Sequence, residues 1–287
     1  MFNLDNVRTL HLEITSHCNA ACSACNRYLN DQLNPNLTLG ELGVKQISAI
    51  LTTAFVQQLD KMFMCGNHGD PAAGKHTIEV FEWFRKNNTK IVLGMNTNGG
   101  IKTEQWWAQL GQVLSNESDY VVFSIDGLED TNHIYRRNVS WHRLMRNAQA
   151  FIDNGGQAHW EMLIFKHNEH QVEQARELSA AMGFKHFRNK ISRREKTWKN
   201  KFLEMPKNYS VNFHSNPNEI DCAALRDRSI YLDYRGKLLP CCWLGIDAIN
   251  NKVDYVLETF TPSLSNKTCV KSCGVTDKSN YEKQWIN

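Results

Sequence analysis

Between residues 7 and about 190 this 287-residue chain alternates strand-like and helix-like patterns, and that alternation is the strongest constraint on its fold. Short apolar or alternating runs at 7–14, 61–65, 91–95, 120–125, 158–165 and 185–189 are separated by amphipathic stretches near 76–87, 103–115, 140–154 and 168–182. This is the signature of parallel strands joined by crossover helices. A further helix is expected from Thr38, an N-cap with Glu41 three residues on as a capping box, leading into Val44, Ile47, Ile50 and Leu51. Six β/α units make a partial (β/α)6 barrel of the TIM type, an α/β fold in which ligands gather at the carboxyl ends of the strands.

The loop after the first strand carries Cys18, Cys22 and Cys25 within eight residues. Three thiols so close can grip one metal centre from a single loop. Thiolates are the usual ligands of iron-sulfur clusters, and a four-iron cubane held by only three of them keeps one iron open. On the residues alone two other readings stay open. His17 with the three thiols makes a zinc site of three sulfurs and one imidazole, and a free Cys is a small apolar packing residue. Packing explains three thiols in one polar loop poorly, and a disulfide is not expected.

The CxxxCxxC spacing, directly after a strand reading HLEITSHCN, resembles the cluster loop of the radical SAM enzymes. The resemblance implies that Cys18, Cys22 and Cys25 hold a 4Fe-4S cluster whose open iron chelates the amino and carboxylate groups of S-adenosylmethionine (SAM). The family's aromatic residue before the last cysteine, which packs on the adenine, is Ala24 here, and Tyr28 is the candidate substitute. At the end of the second strand stand Gly66, Asn67, His68, Gly69, Asp70 and Pro71. Two glycines let the backbone approach a ligand closely, and the proline fixes the exit. The segment resembles the family's GGEP-type motif, whose backbone receives the SAM amino group, and this carries over Gly66, Asn67, Gly69 and Asp70. Asn98, ending the third strand, is similar to another SAM-lining position. Ser124 and Asp126, with Arg136 and Arg137 further on, resemble the fourth-strand segment in which a Ser and a following Arg contact the SAM ribose and carboxylate. A guanidinium suits a carboxylate because it binds it bidentately; Arg136 is carried forward, with Arg137 the other candidate.

After about residue 204 the alternation ends, and the Pro/Asn/Ser-rich residues 205–218 read as a linker or irregular crossover. Then come Cys222, a hairpin from Ser229 to Cys242 turning at Arg235 and Gly236, and the pair Cys269 and Cys273. This tail resembles the Twitch form of the SPASM-type extensions, which carry auxiliary iron-sulfur clusters. The resemblance implies a radical SAM barrel over residues 1–204 and a Twitch-like domain, a small β-hairpin/helix cysteine-rich extension, over 205–287. It also implies one auxiliary 4Fe-4S cluster on Cys222, Cys241, Cys269 and Cys273. Cys242 alternates with Cys241 and is the spare. A four-cysteine zinc site uses similar pieces and stays open.

The net charge of +3 is too small for a nucleic-acid-binding face. The strongest positive run, Arg188, Lys190, Arg193, Arg194, Lys196, Lys199 and Lys201, reads as a solvated face or linker. No apolar run approaches the roughly 20 residues of a membrane span, and the first residues resemble no export signal, so a cytoplasmic protein is expected. Nine cysteines in such a chain point to metal or redox chemistry rather than a disulfide scaffold. His11, His159 and His167 show no ligand-like spacing and read as core or surface residues rather than metal ligands, the pairs Trp83 with Phe84 and Trp106 with Trp107 read as packing, and Cys65 as a buried thiol. Glu161, on the fifth strand, is expected to point inward, and a buried carboxylate needs a partner; a substrate or SAM is the candidate.

Taken as a whole, the resemblance implies an oxidoreductase. The first cluster delivers one electron to SAM, and the 5'-deoxyadenosyl radical so released takes a hydrogen atom from the substrate. A peptide substrate comes first and a small alcohol or sugar second. Loss of a second electron to the auxiliary cluster makes the change a net oxidation, and flavodoxin or ferredoxin is the type of electron donor. The alternative class is a non-catalytic zinc or iron-sulfur scaffold that binds a partner through the basic stretch.

Overall fold

The computed structural model describes residues 2–29, 32–192, 197, 199–207 and 217–275. Its strands are β1 (Thr9–Leu12), β2 (Tyr28–Leu29), β3 (Gln32–Leu33), β4 (Lys61–Met64), β5 (Val92–Thr97), β6 (Tyr120–Ser124), β7 (Ala158–Leu163), β8 (His186–Lys190), β9 (Glu219–Ile220), β10 (Ser229–Leu232), β11 (Leu238–Leu239) and β12 (Gly274–Val275). The helices are α1 (Val44–Ile50), α2 (Thr53–Gln57), α3 (Thr77–Asn87), α4 (Glu104–Val113), α5 (Asn132–Tyr135), α6 (Trp141–Asp153), α7 (Val172–Ala181), α8 (Ala223–Arg226), α9 (Cys242–Asn250) and α10 (Lys267–Cys273). Eight strands form one sheet in the order β11-β10-β1-β4-β5-β6-β7-β8. β1 pairs parallel with β10 and β4, and β5 to β8 pair parallel in succession. Only the β10-β11 hairpin pair within this sheet is seen to run antiparallel. The mostly parallel α/β sheet is that of a partial TIM-type barrel. No helix among the described residues is long and apolar enough to cross a membrane.

The chain forms two compact units. One comprises residues 1–17, 34–93 and 212–278. β1 and β4 bury one face, where Leu10, Leu12, Met62 and Met64 are fully out of solvent, and half-bury the other, whereas β10 buries Ile230, Tyr231 and Leu232 in succession, as a strand covered on both faces does. This is why the C-terminal hairpin is not a detached layer. β10 is apolar enough to lie beside β1, in register from Thr9 opposite Ser229 to Leu12 opposite Leu232.

The capping box expected at Thr38 and Glu41 does not form. The Ser16 hydroxyl donates to Thr38 O at 3.1 Å and accepts from Gly40 N at 2.9 Å, and Leu42 N donates to Ile14 O at 2.8 Å. These bonds keep residues 38–42 out of the helix, so α1 begins only at Val44, where Gln46 Oε1 accepts from Gly43 N at 3.1 Å.

The other unit comprises residues 18–33, 94–211 and 279–287. Thr103 and Ser140 cap α4 and α6, each hydroxyl accepting a backbone N–H three residues on. The two helices lay Trp107 and Phe151 over Phe123 of β6, with ring centroids 5.2 and 5.9 Å away. Gly155 ends the α6 turn at φ +92°, a conformation that suits glycine. Of the basic run, Arg193, Arg194 and Lys196 lie outside the described residues, as do 208–216 of the expected linker.

Candidate functional site

In the second unit the cysteine loop leaves Cys22 buried and Cys18 and Cys25 half-buried. Backbone N–H groups point at two of the sulfurs: Ala20 N lies 3.3 Å from Cys18 Sγ and Arg27 N 3.5 Å from Cys25 Sγ. Asn98 supports the same loop. Its amide donates to Asn19 Oδ1 at 3.0 Å and lies 3.7 Å from Cys18 Sγ, while its Oδ1 accepts from Gly100 N at 2.9 Å. Tyr28 donates its hydroxyl to Ala20 O at 3.3 Å, which closes the loop on itself. Sulfurs supplied with N–H donors in this way suit thiolates bound to iron, whose electronics such hydrogen bonds tune. His17, the fourth ligand of a zinc reading, is exposed, and its backbone N donates to Thr15 Oγ1 at 3.1 Å. Among the described residues no three His, Cys, Asp or Glu side chains close round a single ion. A polynuclear cluster spreads its thiolates wider than one ion does.

The two arginines that reading left open have different partners. Arg137 donates Nε to Ala21 O at 2.8 Å, and Ala21 N returns a bond to Arg137 O at 2.9 Å, so Arg137 clamps the loop backbone. Arg136 donates Nε to Asp126 Oδ2 at 2.6 Å and brings Nη1 to 3.9 Å from Cys22 Sγ. Asp126 is fully buried, and Leu163 N donates to its Oδ1 at 2.5 Å. Burial pushes the Cys22 thiol up to about 11, against the pull of the Arg136 charge. Burial likewise raises Asp126, while Arg136 and the Leu163 N–H act the other way.

In the first unit the loop Gly66 to Pro71 is organised by a residue that reading the sequence missed, Glu13. Its Oε1 accepts from His68 N at 2.6 Å and Gly69 N at 3.1 Å, and its Oε2 takes the Tyr231 hydroxyl. Burial pushes the Glu13 carboxyl up, but the bonds from His68 and Tyr231 outweigh this and hold it below the usual range. A charged residue inside an otherwise apolar strand run was the available signal. The glycines answer a demand of the chain itself: a Cβ on Gly66 would meet Gly69 O at 2.0 Å, and one on Gly69 would meet Thr15 O at 1.9 Å. Their freedom serves contact between backbones within the protein, before any ligand is considered. Asn67 donates its amide to Cys242 O at 2.7 Å and to the Tyr231 hydroxyl at 3.1 Å, and Asp70 caps Ala72 N at 2.9 Å. Both side chains are thus engaged inside the protein.

The same unit gathers the tail cysteines. Cys222, Cys241, Cys269 and Cys273 line one cleft with Phe2, Trp243 and Phe260, and Cys242, the first residue of α9, is not among the lining residues. The cleft spans about 300 Å³ including its open mouth. Cys241 is the N-cap of α9, a place that favours a thiolate. As a free thiol it is raised by burial.

Elsewhere, Glu161 finds its partners inside the protein rather than in a ligand: Arg188 and Lys190 of β8 both pair with it. Burial alone would raise its carboxyl, and the two cations bring it below the usual range. Ser124 lies opposite Glu161 in the β6-β7 register and is half-buried. His11 stacks on Phe63 and bonds Cys65 O at 2.6 Å, His159 stacks on Tyr120, and His167 on Phe165, so all three pack. Cys65 is half-buried rather than buried.

No protein-family model matches this chain, and no curated protein does. Solved structures do. SuiB of Streptococcus suis bound to S-adenosylmethionine has a TM-score of 0.60 at 15 % identity, covering 93 % of this chain and 70 % of SuiB. SuiB bound to the precursor peptide SuiA gives 0.59 at 15 %, covering 93 % and 69 %. Histidine-tagged anSMEcpe with bound AdoMet gives 0.51 at 18 %, covering 64 % of this chain and 49 % of that one. The chain therefore spans about half the length of anSMEcpe and about 70 % of SuiB. At these identities the likeness is one of fold: this chain shares the fold of SuiB and anSMEcpe, in agreement with the resemblance read from the cysteine loop.

Proposed function

We propose that this chain is a radical SAM oxidoreductase with a Twitch-like auxiliary site, acting on a peptide. The observation that carries the proposal is the cysteine loop: three thiols in eight residues, two of them supplied with backbone N–H donors, on a fold shared with SAM-bound SuiB. In this reading Cys18, Cys22 and Cys25 hold a 4Fe-4S cluster, and Cys222, Cys241, Cys269 and Cys273 hold a second. The functional division falls near residue 204. A 4Fe-4S cluster with SAM, once bound, supplies reductive cleavage of the carbon-sulfur bond and hydrogen abstraction.

The chain's own part is to bind, orient and exclude water. Ser124 and the backbone of Gly66 and Gly69 are the proposed SAM contacts. Tyr28, Asn67, Asp70, Asn98, Asp126 and Arg136 are already bonded within the protein, so in this proposal they shape and rigidify the surfaces that receive SAM. The apolar lining of the tail cleft keeps water from the auxiliary group, and a flavodoxin- or ferredoxin-type donor would supply electrons. SuiB, which shares the fold, has been solved with a precursor peptide, and this supports a peptide as substrate. The test offers deuterated peptides, alcohols and sugars to the anaerobically reconstituted protein and asks which label enters 5'-deoxyadenosine. Label from a peptide is expected; label only from a small alcohol or sugar overturns the peptide assignment.

A further inference from the structure

The Cys22 sulfur differs from its two neighbours in the kind of donor it meets. Cys18 and Cys25 receive neutral backbone N–H groups, whereas Cys22, the buried one of the three, has a guanidinium nitrogen 3.9 Å away. That guanidinium is fixed from behind. Arg136 Nε is held by Asp126 Oδ2 at 2.6 Å, and the Tyr135 ring lies 5.1 Å from the guanidinium carbon. Asp126 is in turn immobilised at every polar atom: Leu163 N donates to Oδ1 at 2.5 Å, Asp126 N donates to Asn132 Oδ1 at 2.9 Å, and Asn168 donates its amide to Asp126 O at 2.9 Å. The Asp126 side chain is fully buried and that of Arg136 is 17 % exposed, so the field of this charge is little screened.

We propose that the Asp126–Arg136 pair is a potential-setting device, in which Arg136 places a positive charge on the Cys22 side of the iron-sulfur cluster and eases its one-electron reduction. The inference rests on the reading of Cys18, Cys22 and Cys25 as cluster ligands. Potentials of such clusters follow net charge and hydrogen bonds to the sulfurs. Reduction adds one electron from an external low-potential donor and breaks no bond in the protein; the added negative charge is stabilised by a cation that is already in place. Arg136 holds Asp126 through Nε and turns a different nitrogen, Nη1, to the sulfur, so the cation is the charge in contact with Cys22. The pair is then a positioning element, acting through Cys22 and independent of SAM.

The test is a potentiometric titration of the reconstituted full chain, followed by electron paramagnetic resonance without SAM. A Cys222→Ala background allows the first cluster to be read alone. Arg136→Gln is expected to shift the midpoint to more negative potential, and Arg136→Lys to restore part of the shift. The double variant Asp126→Asn with Arg136→Gln, which leaves no unpaired buried carboxylate, is expected to shift the same way. Midpoints unchanged in Arg136→Gln and the double variant overturn the proposal. So does an Arg136→Gln chain that folds but no longer loads iron in the loop, which assigns Arg136 to building the loop. A wild-type chain that takes up no cluster there defeats instead the underlying reading of the three cysteines.

Discussion

Glu13 accepts the backbone N–H of His68 at 2.6 Å, and through this bond the residue just past β1 dictates the path of the loop after β4. Because the bonded carboxyl is held below its ordinary range, the sign of its pH dependence follows. A depressed value in the folded state stabilises the fold above the unfolded value of about 4.3, and that contribution is lost as pH falls through the folded value. Glu13→Gln keeps the shape but not the charge, and is expected to cost about 1–3 kcal/mol at pH 7. The difference from wild type should shrink as pH falls below the unfolded value, and be measurably smaller at about pH 3. Urea unfolding of the metal-free protein at both pH values measures it, and an equal difference at both counts against the charged role of Glu13.

Gly69 and Gly40 form a matched pair. A Cβ on Gly69 would run into Thr15 O at 1.9 Å, a backbone atom that cannot swing aside, whereas one on Gly40 would meet the Tyr234 ring at 3.6 Å, an ordinary contact. Gly69→Ala should therefore destabilise by about 3 kcal/mol or more. Gly40→Ala should be neutral or slightly stabilising, because alanine narrows the unfolded ensemble. Thermal melts of the two variants separate the cases.

Among the tail cysteines the cleft distinguishes ligand from spare. Cys222→Ala is expected to lower iron by about four atoms per chain, the content of one cubane, while Cys242→Ala keeps the full complement because Cys242 is not among the residues lining the cleft. Iron and sulfide assays on reconstituted protein decide this. The reverse pattern would make Cys242 the ligand.

Much of this architecture was legible in the chain because it is local. The amphipathic stretches near 103–115 and 140–154 hold α4 and α6, and the Cys18, Cys22 and Cys25 spacing needs no tertiary information. What could not be read depends on partners far away in sequence. Thr38 looks like an N-cap until Ser16 claims its carbonyl. Glu161 looks like a carboxylate awaiting a ligand until β8 brings Arg188 and Lys190 against it. The glycines of the Gly66 loop suggest a ligand, and Thr15 O shows that the chain's own packing already requires one of them. Arg136 and Arg137 differ only in which way each points, which no pattern of residue types encodes.

The Glu161 cluster has its own consequence. Glu161→Gln leaves Arg188 and Lys190 facing each other without their carboxylate. Their side chains are 45 % and 29 % exposed, so water absorbs part of the loss. The expected cost is about 1–3 kcal/mol, below that of a fully buried broken pair. Adding Arg188→Gln to Glu161→Gln should recover part of it, and a double-mutant cycle by urea unfolding measures the coupling. Zero coupling would mean that the pair contributes nothing in solution.

The central claim is that Cys18, Cys22 and Cys25 hold a cluster able to split SAM. It is tested most directly by quantifying 5'-deoxyadenosine and methionine formed from SAM by the anaerobically reconstituted protein under a strong reductant, beside Cys22→Ala. A brown protein containing iron and sulfide that forms both products, with none from Cys22→Ala, is the expected result. A colourless zinc protein that leaves SAM intact, or cleavage undiminished by Cys22→Ala, would contradict it.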